Sequence, residues 1–441
     1  MFNIEDIVNF ASKVLYVILK NEISIDKAFQ RVKQRWRDRE SFKIYYDVVF
    51  RIVQEYFKLE YISRRIFGSV SCKNIVRTWL LLEGADYFRN RNMVLPYLRK
   101  QLKKTKLREI EKLREKINEI MEDLRHRDLV EYICVKYSYP RPYVEKLLEV
   151  LSLDETEKIL YSLNSYTTWI RINTLKIDVD KCVKLLEKQG LEVETDRDVP
   201  FLVKVLSAKR PVHHVEAIKK GLAVIQDKAS VLTVLVLSPE PGETILDLCA
   251  APGMKTSLIM QLTDNRARVI AADISSNRLR SMKHILKRLG ADIDKIDIVL
   301  ADSRILKTRP SLRPDKLLID APCTSSGAAG KDPAIKIALR TLRRLSWYTD
   351  IQKRLLENAA NNYTETTVVY TTCSLFPDEG EEIIKYILEK HNNITLEKPS
   401  TPPLLPAYQK YKEVGQRTVR TYPHKHCCEG FYIARLYISK N

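Results

Sequence analysis

The stretch TILDLCAAPGMKTSL, residues 244–258, decides how this chain is read. Thr244–Ala250 has the length and apolar character of a strand. It runs into small residues and then opens a helix. Small residues let a ligand approach the backbone, and a helix N-terminus offers free N–H groups. The spacing of a phosphate-binding Gly-x4-Gly-Lys loop is missing. The full dinucleotide fingerprint is missing too, because Gly253 is the one glycine present. What remains is a nucleoside-binding candidate: Asp247 with Cys249, Ala250, Ala251, Pro252, Gly253, Met254 and Lys255.

Downstream the pattern continues. RVIAAD (268–273), IDIVLAD (296–302), KLLID (316–320) and TTVVYTTCS (366–374) read as strands. Helices are expected over Asn277–Leu289, about Ser346–Asn362 and Glu379–His391, with a final strand in GFYIARLYI (430–438). Such alternation implies a mostly parallel sheet with helices on both faces, whose ligands sit at the carboxyl ends of the strands. Asp273 closes the second strand 26 residues after Asp247 and can accept from both ribose hydroxyls. Asp302 closes the third and can meet the edge of an adenine. Acids after strands are common as helix caps. Three in register with a small-residue loop favour a nucleoside with a neutral ribose. S-adenosylmethionine, a sulfonium without phosphates, fits.

IDAPCTSSG (319–327) ends the fourth strand and TTCSL (371–375) the fifth, so Cys323 and Cys373 fall on the same rim, one of them beside Asp320. A lone cysteine is usually a small buried hydrophobe; two on one rim weaken that reading. Carbon 5 of cytosine is a poor nucleophile. A thiolate adding to carbon 6 makes carbon 5 enamine-like and able to take a methyl group from a sulfonium. A carboxylic acid near N3 would stabilise the charge that builds on the ring.

Upstream, residues 1 to about 127 read as helical. Val8, Ala11, Val14, Leu15 and Ile18 recur at helical spacing, with Asn3 as a cap. A second helical stretch, Phe42–Tyr61, places Tyr46, Val49, Phe50, Val53 and Phe57 on one face. Lys100–Arg127 mixes charge signs at helical spacing, as a salt-bridged exposed helix does. A connector marked by Pro140 and Pro142 follows. Pro142 is expected as the first helical position of a helix over Tyr143–Ser152. A small α/β unit comes next, with a β-like run over Thr167–Lys176, a helix over Val179–Gln189 and a strand around Leu191–Glu194.

The 441 residues carry a formal charge of +19, of which +11 lies in residues 1–127. The excess favours an anionic partner, nucleic acid foremost; the alternative is a solvated basic surface. Hydrophobic content of 45% argues against disorder. Eight dispersed cysteines are too few for a disulfide scaffold. No signal peptide or membrane-length apolar run is visible. These features point to a cytoplasmic protein with reduced thiols. HKHCC (424–428) is too crowded for a zinc site, so no metal is expected. His213 and His214 read as the start of a surface helix.

DLCAAPGMKT, AADISSNRL, LADSR, IDAPCTSSG and TTCSLFPDEGEEII resemble, in that order, the RNA cytosine-5 methyltransferases of the Sun (RsmB-like) family. KYSYPRPYVEKLL, NSYTTWIRINTLK and AVIQDKAS extend the resemblance over about 70% of the chain, from Val130 to Leu436. The resemblance implies S-adenosylmethionine as methyl donor, Cys373 as nucleophile, Cys323 assisting release of the methylated base, and Asp320 contacting the cytosine. Cys249–Lys255, Asp273, Arg278, Asp302 and Asp320 would line the donor pocket. Lys331 would reach the RNA backbone or base. The loop departs from the family in having Met254 where a glycine is usual, and DPAIKIALR (332–340) lacks a usual aromatic. The N-terminal stretch, in segments such as YYDVVFRIVQEYFKLEYISRRIFG (45–68), resembles a NusB-like helical domain that positions RNA through phosphates.

The expected architecture is multidomain: an all-α, NusB-like domain (1–127), connector helices with a small α/β subdomain (128–220), and a Rossmann-like methyltransferase domain with a mostly parallel sheet (221–441). The expected substrate is RNA, ribosomal in preference to transfer RNA, handled by a monomer away from membranes. A non-catalytic RNA-binding or ribosome-assembly factor is the alternative, and DNA methylation is disfavoured by the Thr-Cys nucleophile.

Overall fold

A computed structural model describes residues 3–36, 42–89, 91–101, 117–309, 312–401 and 403–440. The chain forms two compact units. One comprises Met1–Asn164 together with Ala329–Arg343; the other comprises Ser165–Ala328 and Arg344–Asn441.

The first unit is helical. Helix α1 (Ile4–Asn21) starts at Asn3, whose side chain accepts from the Glu5 N–H at 2.9 Å, as its sequence predicts. Val8, Ala11, Val14, Leu15 and Ile18 are all buried along it. Helices α2 (Ile25–Lys33), α3 (Phe42–Gln54), α4 (Tyr56–Phe67) and α5 (Cys72–Trp79) follow. The expected single stretch Phe42–Tyr61 is thus broken at Glu55. Its buried stripe is Tyr45, Val48, Val49, Ile52 and Val53, while Tyr46, Phe50 and Phe57 are partly buried. Phe10 stacks on Tyr45 at 4.9 Å and meets Phe29 edge-on at 5.1 Å. Most of Lys100–Arg127 lies outside the described residues; Ile117–Arg127 is a helix with Leu124 buried. The helix expected over Tyr143–Ser152 instead spans Arg141–Leu148, with Pro140 as its cap and Pro142 as its second residue, where a missing N–H costs nothing.

Residues 329–343 join this unit from far along the chain. Ala334 and Ile337 enter its core. Asp332 Oδ1 accepts from the Ile25 N–H at 3.3 Å, and Arg340 donates to Glu60 at 2.6 Å. Lys336 is 1% exposed; it donates to the Gln54 carbonyl and to Asn164 Oδ1, and lies 4.1 Å from the Tyr139 ring centroid. Burial pulls its pKa down to about 7.

The second unit holds two sheets. Strands β1 (Trp169–Ile172), β2 (Leu191–Thr195), β3 (Leu202–Ala208) and β4 (Ala223–Ile225) form an antiparallel sheet in the order β2-β3-β1-β4. The larger sheet has β5 (Thr244–Asp247), β6 (Arg268–Asp273), β7 (Ile296–Leu300), β8 (Lys316–Asp320) and β9 (Thr366–Thr372) in parallel, ordered β9-β8-β5-β6-β7. Strands β10 (Ile394–Glu397), β11 (Leu405–Pro406), β12 (Val419–Arg420) and β13 (Tyr432–Ile438) are added antiparallel beyond β9. The two sheets share a core, in which Trp169 and Leu202 pack with Ile245, Leu258 and Val269. Buried Arg171 fastens them by donating to Gln226, Gln261 and Ser257. Strand order reverses at β5, where β6 lies on one side and β8 on the other. In open α/β sheets, ligands bind at such a switch point.

Candidate active site

At the donor end, β5 delivers Asp247 to the rim. Its Oδ2 accepts from Thr256 at 2.8 Å. The chain then turns through Ala250–Gly253 into the helix Met254–Leu262. Gly253 has φ +96°, and a Cβ there would lie 2.7 Å from Met282 Cγ, so the turn requires glycine. Met254 occupies the first helical position without disturbing it. Asp273, at the end of β6, accepts from the Ala251 N–H at 3.2 Å and the Ser275 N–H at 2.9 Å. Arg278 reaches back to pair with Asp273 at 3.3 Å and donates to the Ala251 carbonyl. Asp302, just beyond β7, is held bidentately by Arg304 at 2.6–3.1 Å, and that guanidinium keeps its carboxyl below the usual range. Ser303 Oγ donates to the Leu248 carbonyl, drawing this loop onto the donor loop.

These acids are occupied by their own chain except at one atom. Asp247 Oδ1 is buried and has no hydrogen-bond partner among the described residues. Burial raises the Asp247 carboxyl to about 7. An orphaned buried acceptor costs about 1–3 kcal/mol, and the ammonium or ribose hydroxyl of a nucleoside donor would satisfy it. The residues present therefore fit S-adenosylmethionine.

The cysteine end is assembled from the loops after β8 and β9. Cys323 Sγ and Cys373 Sγ are 3.2 Å apart. Their loops are tied together at several points. The Gly327 N–H donates to the Cys373 carbonyl at 3.0 Å, the Cys373 thiol donates to Ser325 Oγ at 3.3 Å, and Ser326 Oγ lies 2.8 Å from Ser374 Oγ. A Cβ at Gly327 would stand 1.9 Å from the Gly430 carbonyl oxygen. Glu379, fully buried, accepts from the Thr324 N–H at 2.9 Å, from the Thr324 hydroxyl and from Gln352 at 3.1 Å. Behind Cys373, the buried pair Arg420–Glu381 closes at 2.6 Å, and Arg420 also donates to the Ser374 carbonyl at 2.7 Å. The hydrogen bond to Cys373, together with burial, pushes the Cys323 thiol well up. Cys323 therefore keeps its proton and can donate it towards Cys373 sulfur.

Lys255 joins the two ends. From the first turn of the donor-loop helix, its ammonium meets Asp320 Oδ2, at the end of β8, at 2.5 Å. Asp320 is thus ion-paired at the rim, just before the Cys323 loop.

The structure pairs Cys323 with Cys373 and Lys255 with Asp320, and gathers Asp273 and Arg278 against Ala251 of the donor loop. Lys331 is exposed, in the segment that belongs to the helical unit. Sequence reasoning missed Glu379, Glu381 and Arg420 as supports of the cysteine loops. The one local signal was the acid cluster six to nine residues after Cys373. Among the described residues no cluster of His, Cys, Asp or Glu could hold a metal ion, and no helix is long and apolar enough to cross a membrane. All eight cysteines are free thiols.

A doubly wound sheet with a nucleoside cradle at its switch point, and two thiols in contact beside it, is the layout of a methyltransferase that works through cysteine. Residues 234–437 match the model of 16S rRNA methyltransferase RsmB/F, and residues 139–213 match that of the ferredoxin-like domain of RsmF/B-like methyltransferases. The chain is 30% identical over 308 residues to ribosomal RNA small subunit methyltransferase B of Klebsiella pneumoniae, covering 69% of this chain and 67% of that one. It is 35% identical over 246 residues to tRNA (cytosine(72)-C(5))-methyltransferase of Pyrococcus horikoshii, covering 55% and 59%. A solved crystal structure, that of PH0851, superposes with a TM-score of 0.74 at 26% identity over 98% of both chains. The chain belongs to the RsmB/F family of RNA cytosine-C5 methyltransferases, which are S-adenosylmethionine-dependent. It spans between 39% and 67% of the length of the curated relatives it matches.

Proposed function

We propose that this protein methylates carbon 5 of a cytosine in RNA through a covalent adduct with Cys373. The observation that carries this reading is the 3.2 Å contact between Cys323 and Cys373 at the carboxyl ends of adjacent parallel strands. When bound, S-adenosylmethionine supplies an electrophilic methyl group on a sulfonium. Cys249–Lys255, Asp273, Arg278 and Asp302 would hold it, with Asp247 Oδ1 as a further acceptor.

Cys373 sulfur forms a bond to carbon 6, and the carbon 5–carbon 6 π pair moves so that carbon 5 becomes nucleophilic. Asp320 accepts from the cytosine edge, and Lys255 beside it offsets charge building on the ring. After methylation the carbon 5 proton must leave. As a general base takes up that proton, its C–H electron pair re-forms the ring double bond, the carbon 6–sulfur bond breaks and the pair leaves on sulfur as the Cys373 thiolate. Cys323, within contact of that sulfur, assists the release. The target base must be unpaired or flipped out to enter.

Ribosomal RNA is the preferred substrate class, on the resemblance of the helical unit to a NusB-like domain; transfer RNA is the second, on the name of the Pyrococcus relative. The protein acts as a cytoplasmic monomer with reduced thiols. The test is transfer of labelled methyl from S-adenosylmethionine to ribosomal and transfer RNA fractions, followed by nucleoside analysis. Label in 5-methylcytidine of one fraction is expected and selects the substrate. No label in either, with the donor bound, favours the non-catalytic RNA-binding reading.

A further inference from the structure

We propose that a groove on the helical unit, walled by α1, α2 and the start of α5, holds an unpaired segment of RNA. It would do so by stacking and phosphate contacts in a site of its own. The groove encloses about 770 Å³, within the range of small-ligand sites. Lys13, Arg31, Arg35 and Lys73 line it, all four exposed, and among the described residues no carboxylate does. Tyr16 lines it with 56% of its surface exposed. Trp36 lies beside it with Lys13 Nζ 4.9 Å from the ring centroid, the cation–aromatic pairing found along single-strand grooves.

A second, independent observation points to a ligand. Ser12 is 6% exposed and lines the groove, yet its Oγ has no hydrogen-bond partner among the described residues. A mid-helix serine ordinarily bonds the carbonyl one turn back; here the hydroxyl is left for an occupant. Cations for phosphate, an open ring for a base and a free hydroxyl for a sugar or base edge match a nucleotide strand. An acidic peptide would use the cations and leave the ring without work.

The groove's role rests on RNA being the substrate, and one set of titrations separates the two. A fluorescent, unpaired RNA of about ten nucleotides is titrated into the full chain at several salt concentrations. Tyr16→Ala is expected to weaken binding about tenfold, while Tyr16→Phe restores it. Lys13→Gln with Arg35→Gln is expected to reduce the slope of log affinity against log salt by about 1.4, at ~0.7 for each phosphate no longer neutralised. In labelled-methyl transfer, Tyr16→Ala and the Lys13→Gln, Arg35→Gln double variant should keep the wild-type kcat and raise KM, while Tyr16→Phe should match the wild type in both. Because these side chains are exposed, thermal unfolding should not change. Wild-type affinity and salt slope in all variants overturns the groove and leaves the methylation reading standing. Loss of affinity on Tyr16→Ala in a protein that methylates no RNA supports the groove and overturns that reading. Displacement by polyglutamate with indifference to RNA assigns the groove to an acidic polypeptide and overturns the proposal.

Discussion

The two ends of the catalytic rim are prepared differently. At the donor end, Asp273 and Asp302 are paired with Arg278 and Arg304, yet one buried oxygen of Asp247 is left over. At the cysteine end, the thiols touch, the loops carrying them are bonded to each other, and Glu379 and Arg420 hold them from behind. The donor end is thus a site that a ligand completes. The cysteine end is organised before any substrate arrives, which suits a nucleophile that must meet one ring carbon in one orientation. Substitutions at the cysteine end should therefore change turnover, and those at the donor end affinity.

The largest effect belongs to Cys373→Ala. Labelled-methyl transfer should fall at least about a thousandfold while donor binding by calorimetry is retained. Gly327→Ala comes next. Its Cβ must push the Gly430 carbonyl away, and the shift passes to Cys373 through the hydrogen bond from residue 327. A displacement of about 1 Å costs roughly a hundredfold in kcat, with donor affinity again unchanged. A matching loss of donor affinity would break the division of labour. Asp247→Asn sharpens it from the other side. Donor affinity should fall about tenfold, the worth of one hydrogen bond to a charged group, measured by titration with S-adenosylhomocysteine.

The smallest effect lies off the rim altogether. The pKa of Lys336 is lowered by burial to about 7, so between about pH 7 and the usual lysine value the unfolded chain holds more protons than the folded one. Stability must rise with pH across that window, by up to about 1.4 kcal/mol per pH unit. Lys336→Met removes this contribution. Calorimetric melting of the two proteins at pH 7 and pH 9 should show the wild type gaining on the variant at the higher pH.

The parallel strands and their terminal residues were legible because each is a short apolar run ending in a residue that chemistry can use. Strands β11 and β12 were not, being two residues long. Strand β3 ends in exposed residues and lacks the strong apolar pattern of its neighbours. Arg420 looks like part of a basic loop, and only its pairing with Glu381, 39 residues earlier, makes it a buried support. The attachment of residues 329–343 to the helical unit depends on Ile25, Gln54 and Glu60, some 280 to 307 positions away, and nothing local announces it. For the same reason the rim was readable as a set of candidates, while Glu379 and the direct contact between the two thiols required the fold.

The most direct test of the cysteine mechanism is the fate of the adduct when release is blocked. Cys323→Ala is incubated with target RNA and S-adenosylmethionine and run on a denaturing gel beside the double variant Cys323→Ala, Cys373→Ala. A protein–RNA adduct that survives denaturation is expected in the single variant and not in the double. An adduct persisting without Cys373, or 5-methylcytidine formed by Cys373→Ala at the wild-type rate, would contradict the mechanism.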